Sequence, residues 1–404
     1  MKTQCCIAGG GPAGMMLGFL LARSGVDVVV LEKHADFFRD FRGDTIHPST
    51  LDVMAEIGLL DDFLRLPHDQ VGYLSGVIGN TTVRIADFRH LPTRCKYLVL
   101  MPQWDFLNFL SERAKRYPAF HVLMNAQATD LTFEGDRVTG VIAQTAAGRE
   151  EIQAQLVVAA DGRTSTIRDR AGMHCTQLGA PMDILWMRIS RAATDPEQTF
   201  GTLDRGRIFI SLNRNAYWQC GYVIPKGTFE ALQREGIAAF RERIAQIAPF
   251  LANRVDELQS WDDVKLLTVA VDRLERWYRP GLLCIGDAAH AMSPIGGVGV
   301  NLAIQDAVAA SNMLAAPLRR GYVRTSDLEA VQRRRMFPTR VTQGAQLFIQ
   351  RRVITPILGN GATTKPPAVM RVLSRFPILQ RIPAWLVGVG VRPEHVRTRE
   401  IAVR

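Results

Sequence analysis

Short apolar runs that end in glycine, followed by apolar residues at helical spacing, set the pattern at the start of the chain. Residues 3–8 form one such run, which reads as a strand buried on both faces. Residues 12–24 carry apolar positions at a helical period, and residues 26–31, Val-Asp-Val-Val-Val-Leu, read as a second strand. Together they predict a βαβ unit. A helix is expected after Pro48, with Ser49 or Thr50 as its cap.

The pattern then changes. Residues 71–100 break into short strand-like pieces, 104–116 return to a helical period, and 120–146 read as strands turning at Glu134-Gly135-Asp136. Residues 156–160, Leu-Val-Val-Ala-Ala, form another buried parallel strand, followed by a helix at 164–171. Residues 182–224 alternate as an antiparallel sheet does, and are rich in Trp, Tyr, Phe and Ile. Residues 227–248 read as helical, 264–275 as strand, and Leu282-Leu283-Cys284-Ile285 as one more apolar strand. Beyond residue 298 the period is mainly helical, broken by prolines.

These elements predict a mixed α/β fold. A Rossmann-like, discontinuous domain covers 1–70, 96–176 and 278–315. An antiparallel-sheet substrate domain, 71–95 and 177–277, interrupts it. A helical region, 316–404, closes the chain. A length of 404 residues suits two joined domains.

Charge and composition narrow the reading. The net charge of +10 favours anionic ligands, phosphates first. The densest basic groups are Arg333-Arg334-Arg335 and Arg351-Arg352, with no aromatic–basic interleaving of the RNA-binding kind, so nucleic acid is not expected. No apolar run approaches the ~20 residues of a membrane-spanning helix. The opening residues lack the features of a signal peptide, so a cytoplasmic protein is expected. None of the six cysteines falls in a C-x-x-C pair, which gives no support to a metal site. Cys5, Cys6 and Cys284 lie in strand-like runs and read as small buried hydrophobes.

Three segments at strand-to-helix junctions carry the chemistry. The first, Gly9-Gly10-Gly11-Pro12-Ala13-Gly14, fits G-x-G-x-x-G. In that motif the first glycine permits a tight turn, the second lets backbone approach a pyrophosphate, and the third lets helix and strand pack closely. The helix start presents unsatisfied N–H groups to the phosphates. Glu32, at the end of the second strand, is placed to accept from ribose hydroxyls. The pattern points to a dinucleotide without separating FAD from NAD. The second segment is Asp161-Gly162-Arg163-Thr164-Ser165-Thr166-Ile167-Arg168. The third runs from Gly286-Asp287-Ala288-Ala289-His290 through Pro294 to Gly297-Val298-Gly299-Val300-Asn301. Its glycines let backbone N–H groups approach a planar ring.

In this order the three segments resemble the fingerprints of the class A FAD-dependent aromatic monooxygenases, the group of p-hydroxybenzoate hydroxylase and the ubiquinone-biosynthesis hydroxylases. The resemblance runs from the first strand to about residue 310, and the C-terminal helices match loosely. It implies that Gly9, Gly11, Pro12, Ala13, Gly14, Glu32 and Lys33 bind the ADP half of FAD. It implies that Arg42 contacts FAD and assists the nicotinamide cofactor, that Gln103 lies near the FAD ribose, and that Asp161 and Gly162 serve both FAD and NAD(P)H. It places Asp287 at the ribityl and ribose region. Pro294, Gly297, Gly299, Val300 and Asn301 fall on the loop beside the isoalloxazine, with Pro294 where dioxygen is activated.

The implied reaction is reduction of flavin by NAD(P)H, uptake of O2 to give a C4a-hydroperoxide, and oxygen transfer to an aromatic, polycyclic or quinone-like small molecule. The cofactor supplies that chemistry, while the protein positions substrate and excludes water. A geranylgeranyl-reductase-like flavoenzyme and a non-catalytic dinucleotide-binding regulator are the alternatives.

Single residues admit two readings. His47 is a candidate for substrate binding or proton relay, against a structural hydrogen-bonding role. His290 reads as packing under the flavin loop. Arg188, Trp218 and Tyr222 are candidate substrate contacts, with Trp218 and Tyr222 on one face of the sheet and Tyr217 on the other. Residues 368–391 mix Arg371, Arg375 and Arg381 with bulky apolar residues. They admit a peripheral lipid contact, against packing over the core or at a dimer contact. A monomer or homodimer is expected.

Overall fold

The computed structural model describes residues 1–38, 45–79, 81–196, 200–359, 366 and 368–401. Its central sheet has eight strands. The parallel part runs in the order Leu282–Cys284, Gly148–Ala159, Lys2–Ala8, Val28–Leu31 and Phe120–Leu123. Tyr278–Arg279 closes one edge, and a meander of Gln127–Glu134 and Arg137–Thr145 pairs antiparallel with the first half of Gly148–Ala159.

The first strand sits at the centre, where Cys5 opposes Leu156 on one side and Val28 on the other. Burial on both faces explains why these segments are unbroken apolar runs. Helix Pro12–Arg23 packs between this sheet and the long helix Val298–Arg319. Cys5, Cys6 and Cys284 lie wholly inside.

A second, seven-stranded sheet runs in the order Lys265–Leu267, Met182–Ser190, Tyr217–Pro225, Arg207–Asn213, Phe200–Asp204, Tyr73–Ile78 and Thr81–Asp87. Every pairing is antiparallel except that of Phe200–Asp204 with Tyr73–Ile78. Helices Phe229–Glu235 and Ile237–Ile247 cover one face. The other face meets Ile295, Leu347, Val353 and Leu358. A three-stranded sheet of Thr45–Ile46, Leu98–Leu100 and Asp69–Val71 lies beside the two large ones.

Two expectations are corrected. The strand read over 264–275 is two short strands in different sheets, Lys265–Leu267 and Asp272–Leu274. The helical region read over 316–404 ends earlier. After helices Thr325–Ile349, Ala368–Arg375 and Arg381–Gly388, residues 391–401 run without regular structure back over the first domain. There Arg23 Nη1 donates to the Thr398 carbonyl at 3.0 Å, the Ile401 N–H donates to the Arg23 carbonyl at 3.0 Å, and the Tyr117 hydroxyl donates to Glu400 at 2.7 Å. This extended course satisfies backbone groups by tertiary bonds, which no local periodicity signals.

Among the described residues no helix is long and apolar enough to cross a membrane, and no group of three or more His, Cys, Asp or Glu is placed to hold a metal ion.

Candidate active site

The first motif sits where the central strand meets helix Pro12–Arg23. Gly9 has φ +110°, and a Cβ there would stand 2.4 Å from the Ala160 carbonyl oxygen. A Cβ on Gly14 would stand 1.9 Å from the Gly9 carbonyl oxygen. These two glycines are therefore steric requirements of the turn. Gly11 differs, because a Cβ there meets nothing within 4 Å. Gly11 is also the N-cap of the helix, with no side chain capping it and no acidic residue in the first turn. The helix start thus presents its N–H groups to an open, uncharged side, which suits a pyrophosphate. Glu32 is buried at the adjacent strand end and accepts from the Gly10 N–H at 3.1 Å and the His34 N–H at 3.0 Å. Lys33 is exposed beside it. Arg42 lies outside the described residues. Gln103 opens helix Gln103–Ala114 as expected.

The second and third motifs are joined. Asp161 accepts from the Ser165 hydroxyl at 2.5 Å and from the Ile167 N–H at 3.2 Å, so its carboxylate holds the turn into helix Thr166–Arg170. Burial pushes the Asp161 pKa upward against those hydrogen bonds. Gly162, at φ +92°, meets nothing within 4 Å of a built Cβ and is the open position of the motif. Arg163 stands 3.7 Å from Asp287, and Arg168 donates to the carbonyls of Ala288 at 3.3 Å and Arg163 at 3.0 Å. Two arginines of the second motif therefore set the position of the third.

Beneath the third motif lies a buried carboxylate. Asp306 accepts from the Gly286 N–H at 3.0 Å, lies 2.6 Å from His290 Nε2, and receives Arg335 Nε at 3.0 Å. His290 is buried against Trp277 and serves this support, not the open side of the site.

The loop that follows is held from three sides. Gln343, Gln346 and Gln350 fall on the inward face of the C-terminal helix and its continuation. Gln343 donates to the carbonyls of Asp272 at 2.7 Å and Ala291 at 3.0 Å. Gln346 donates to those of Ser293 at 2.8 Å and Ile295 at 3.0 Å, and Gln350 donates to the Ser293 hydroxyl at 2.9 Å. Pro294 begins the turn that these bonds fix. Asn301 accepts from Ser49 at 3.0 Å and Thr50 at 2.6 Å, tying helix Val298–Arg319 to helix Pro48–Glu56. Val300 is buried next to it, and a Cβ on Gly299 meets nothing within 4 Å.

His47 is corrected from a candidate catalytic group to a positioning residue. Its ring is fully buried, with Nδ1 2.6 Å from the Val387 carbonyl oxygen and Nε2 3.0 Å from that of Gly297. Both nitrogens face backbone, so neither is offered to a substrate. Burial lowers the His47 pKa, against the two carbonyls that favour the charged ring.

Trp218 and Tyr222 are corrected too. Both point to the sheet face under helix Ile237–Ile247, where Trp218 packs on Phe250 and Tyr222 on Phe240. Trp218 Nε1 donates to Asp195 at 2.8 Å, and Asp195 in turn pairs with Arg254 at 2.6 Å. They are core residues. The face toward the flavin loop carries Ile184, Trp186, Ile208 and Val223 instead. Arg188 lies on that same face of its strand, two residues beyond Trp186. There it is exposed, stacks 3.9 Å over the Tyr217 ring and lines a pocket of about 300 Å³ with Ser190, Ala216, Glu257 and Asp263. That pocket shares no residue with the flavin loop.

Residues 2–345 match the model of a family described as an FAD binding domain. The chain is 35% identical over 387 residues to 6-methylpretetramide 4-monooxygenase of Streptomyces rimosus, a match covering 94% of this chain and 92% of that protein. The chain belongs to the class A FAD-dependent aromatic monooxygenases.

Its fold is that of solved members of this family. Anhydrotetracycline hydroxylase from Streptomyces rimosus superposes with a TM-score of 0.75 at 21% identity, covering 96% of this chain and 76% of that one. p-Nitrophenol 4-monooxygenase from Pseudomonas putida DLL-E4 superposes with a TM-score of 0.76 at 20% identity, covering 96% and 100%. The residues present fit FAD: open glycines at 11, 162 and 299, an uncapped helix start, and a carboxylate at residue 32. The glutamine series 343, 346 and 350 was missed in the sequence. Its spacing of three and four was the available signal, because glutamines repeated on one helix face suit hydrogen bonding to a neighbouring loop.

Proposed function

We propose that this FAD-dependent monooxygenase hydroxylates a polycyclic aromatic small molecule, with NAD(P)H as reductant and O2 as oxygen source. The observation that carries the substrate class is the 35% identity over nearly the whole chain to a monooxygenase named for 6-methylpretetramide. Beside the loop, Ile184, Trp186, Ile208 and Val223 of the sheet are buried and pack with Ile295, so the loop is bordered by apolar side chains.

FAD, when bound, supplies the redox and oxygen-transfer chemistry. The chain's own residues do the rest. The helix start at Gly11 and the carboxylate of Glu32 would hold the adenosine diphosphate half. Arg163 and Arg168 fix the third motif. His47 and the three glutamines fix the loop from Ser293 to Gly297, so that it would border the ring system without reorganising. The apolar side chains packed beside the loop would keep water from it.

The test is product analysis. Purified protein with FAD, NADPH or NADH and a panel of polycyclic phenols is run under 18O2. A product heavier by one labelled oxygen atom is expected from at least one polycyclic member. Oxidation of the nicotinamide with hydrogen peroxide as the only product, across the panel, would overturn the reading.

A further inference from the structure

The positive charge of this protein is concentrated. Residues 330–393 contain ten arginines and Lys365, with no aspartate or glutamate, a net +11 against +10 for the whole chain. The rest of the molecule is close to neutral.

Within that stretch, residues 371–386 form an apolar surface. Val372, Phe376, Ile378, Ile382, Trp385 and Leu386 each leave between 39% and 66% of their surface in water, and Arg371, Arg375 and Arg381 are exposed among them. Scattered exposed apolar side chains are ordinary on a soluble protein. Six large ones within sixteen positions, interleaved with three cations, are not. The segment is anchored from its inner side. Helices Ala368–Arg375 and Arg381–Gly388 pack on strand Thr81–Asp87. Ala384, Gly388 and Val389 are buried, and Gly388 fits closely against Leu91, Phe88 and Pro48.

The chemistry of the surface selects its partner. A second copy docked on the same patch would gather six arginines with no carboxylate from residues 371–386 to offset them, because a two-fold contact uses the same patch on both subunits. A nucleic acid would neutralise the arginines and leave the isoleucines and Trp385 without an apolar neighbour. An anionic bilayer satisfies both, with headgroup phosphates for the guanidinium groups and the acyl boundary for the apolar side chains. We propose that residues 371–386 dock this enzyme on an anionic phospholipid surface.

The surface is also next to the site. The inner side of helix Arg381–Gly388 supplies the Val387 carbonyl that meets His47, and the Val387 side chain would lie 3.6 Å from a Cβ on Gly296 of the flavin loop. Docking would bring the flavin loop close to the lipid that dissolves apolar ring systems. That consequence rests on the proposed substrate class. The docking does not.

The experiment is co-sedimentation of the full-length, FAD-containing protein with vesicles of phosphatidylcholine alone or mixed with phosphatidylglycerol. Binding to the mixed vesicles should exceed binding to the neutral ones and weaken as salt is added. The double variant R375Q/R381Q should bind roughly 30-fold more weakly, the loss of two basic residues near a charged surface. The variant I378S/I382S should also lose binding, while both variants keep their FAD content, melting temperature and turnover of a water-soluble substrate. Equal sedimentation with both vesicle types, or full binding by both variants, overturns the proposal. So does a dimer that dissociates in I378S/I382S without any vesicle binding, or retention on heparin without vesicle binding. Vesicle binding by a protein that oxygenates nothing would refute the proposed function and leave the docking intact.

Discussion

Arg335 donates from Nε to Asp306 at 3.0 Å in a region closed to solvent, with each side chain at most 1% exposed. Burial alone would raise the Asp306 pKa, but His290 and Arg335 more than offset it and hold the carboxyl below its ordinary range. The Gly286 N–H donates to the same carboxylate, so the third motif rests on a charge that Arg335 and His290 compensate. Replacing Arg335 by Met should cost about 3–5 kcal/mol, the penalty of leaving a buried charge without its partner. Urea unfolding would read the loss, and FAD content the damage to the motif. An unchanged midpoint with full FAD would show that Arg335 does not support Asp306.

Gly14 touches the Gly9 carbonyl so closely that no side chain fits. Both groups are backbone, and no rotamer change relieves the clash. Gly14→Ala should therefore separate helix from strand, destabilise the fold by at least about 1–3 kcal/mol, and abolish retention of FAD on gel filtration. A variant that retains stoichiometric FAD would contradict this packing.

His47 gives the pH dependence a direction. Its folded-state pKa lies below the ordinary histidine value because the ring is buried. The unfolded chain therefore takes up the proton first as pH falls below about 6.5. The stability contribution is complete above that value and is lost as pH falls toward the folded-state pKa. His47→Leu should be less stable near neutrality by about 1–3 kcal/mol, since the neutral ring's N–H donation to a backbone carbonyl is lost. Its melting temperature should also change less between neutral and mildly acidic pH than that of the parent. Parallel curves for the two proteins would remove His47 as the titrating group.

Trp218 and Arg188 separate core from pocket. Trp218→Phe should lose about 1–3 kcal/mol, because Asp195 loses its Nε1 donor, while the KM for the aromatic substrate stays unchanged. Arg188→Ala should leave the melting temperature nearly unmoved, being exposed. Steady-state kinetics beside thermal melts would decide it. A large KM change in Trp218→Phe with unchanged stability would return the residue to the substrate site.

What could be read in the sequence was what is settled locally. Gly9, Gly14 and Asp161 are fixed by neighbours within a strand-turn-helix, and their spacing declares it. Alternation along 217–222 correctly put Trp218 and Tyr222 on one face. It could not say which face helix Ile237–Ile247 would cover, because that depends on packing between segments far apart in sequence. The loop supports were hidden for the same reason. Gln346 meets Ser293 across 53 residues, and Arg335 meets Asp306 across 29, separations over which a single sequence gives no pairing signal.

Glu394 finally bears on when the enzyme becomes competent. It pairs with Arg334 at 2.5 Å and Arg335 at 3.3 Å, and its N–H donates to Gln305 across 89 residues. The cation that steadies Asp306 is itself steadied by a segment synthesised after it. At about 5–20 residues per second of translation, on the order of 20–80 s separate the emergence of Gly9 from that of Glu394. During that interval the Arg335–Glu394 ion pair cannot form. Such long-range closure belongs to high contact order, where the slow step of maturation is the joining of distant parts rather than the making of helices and strands.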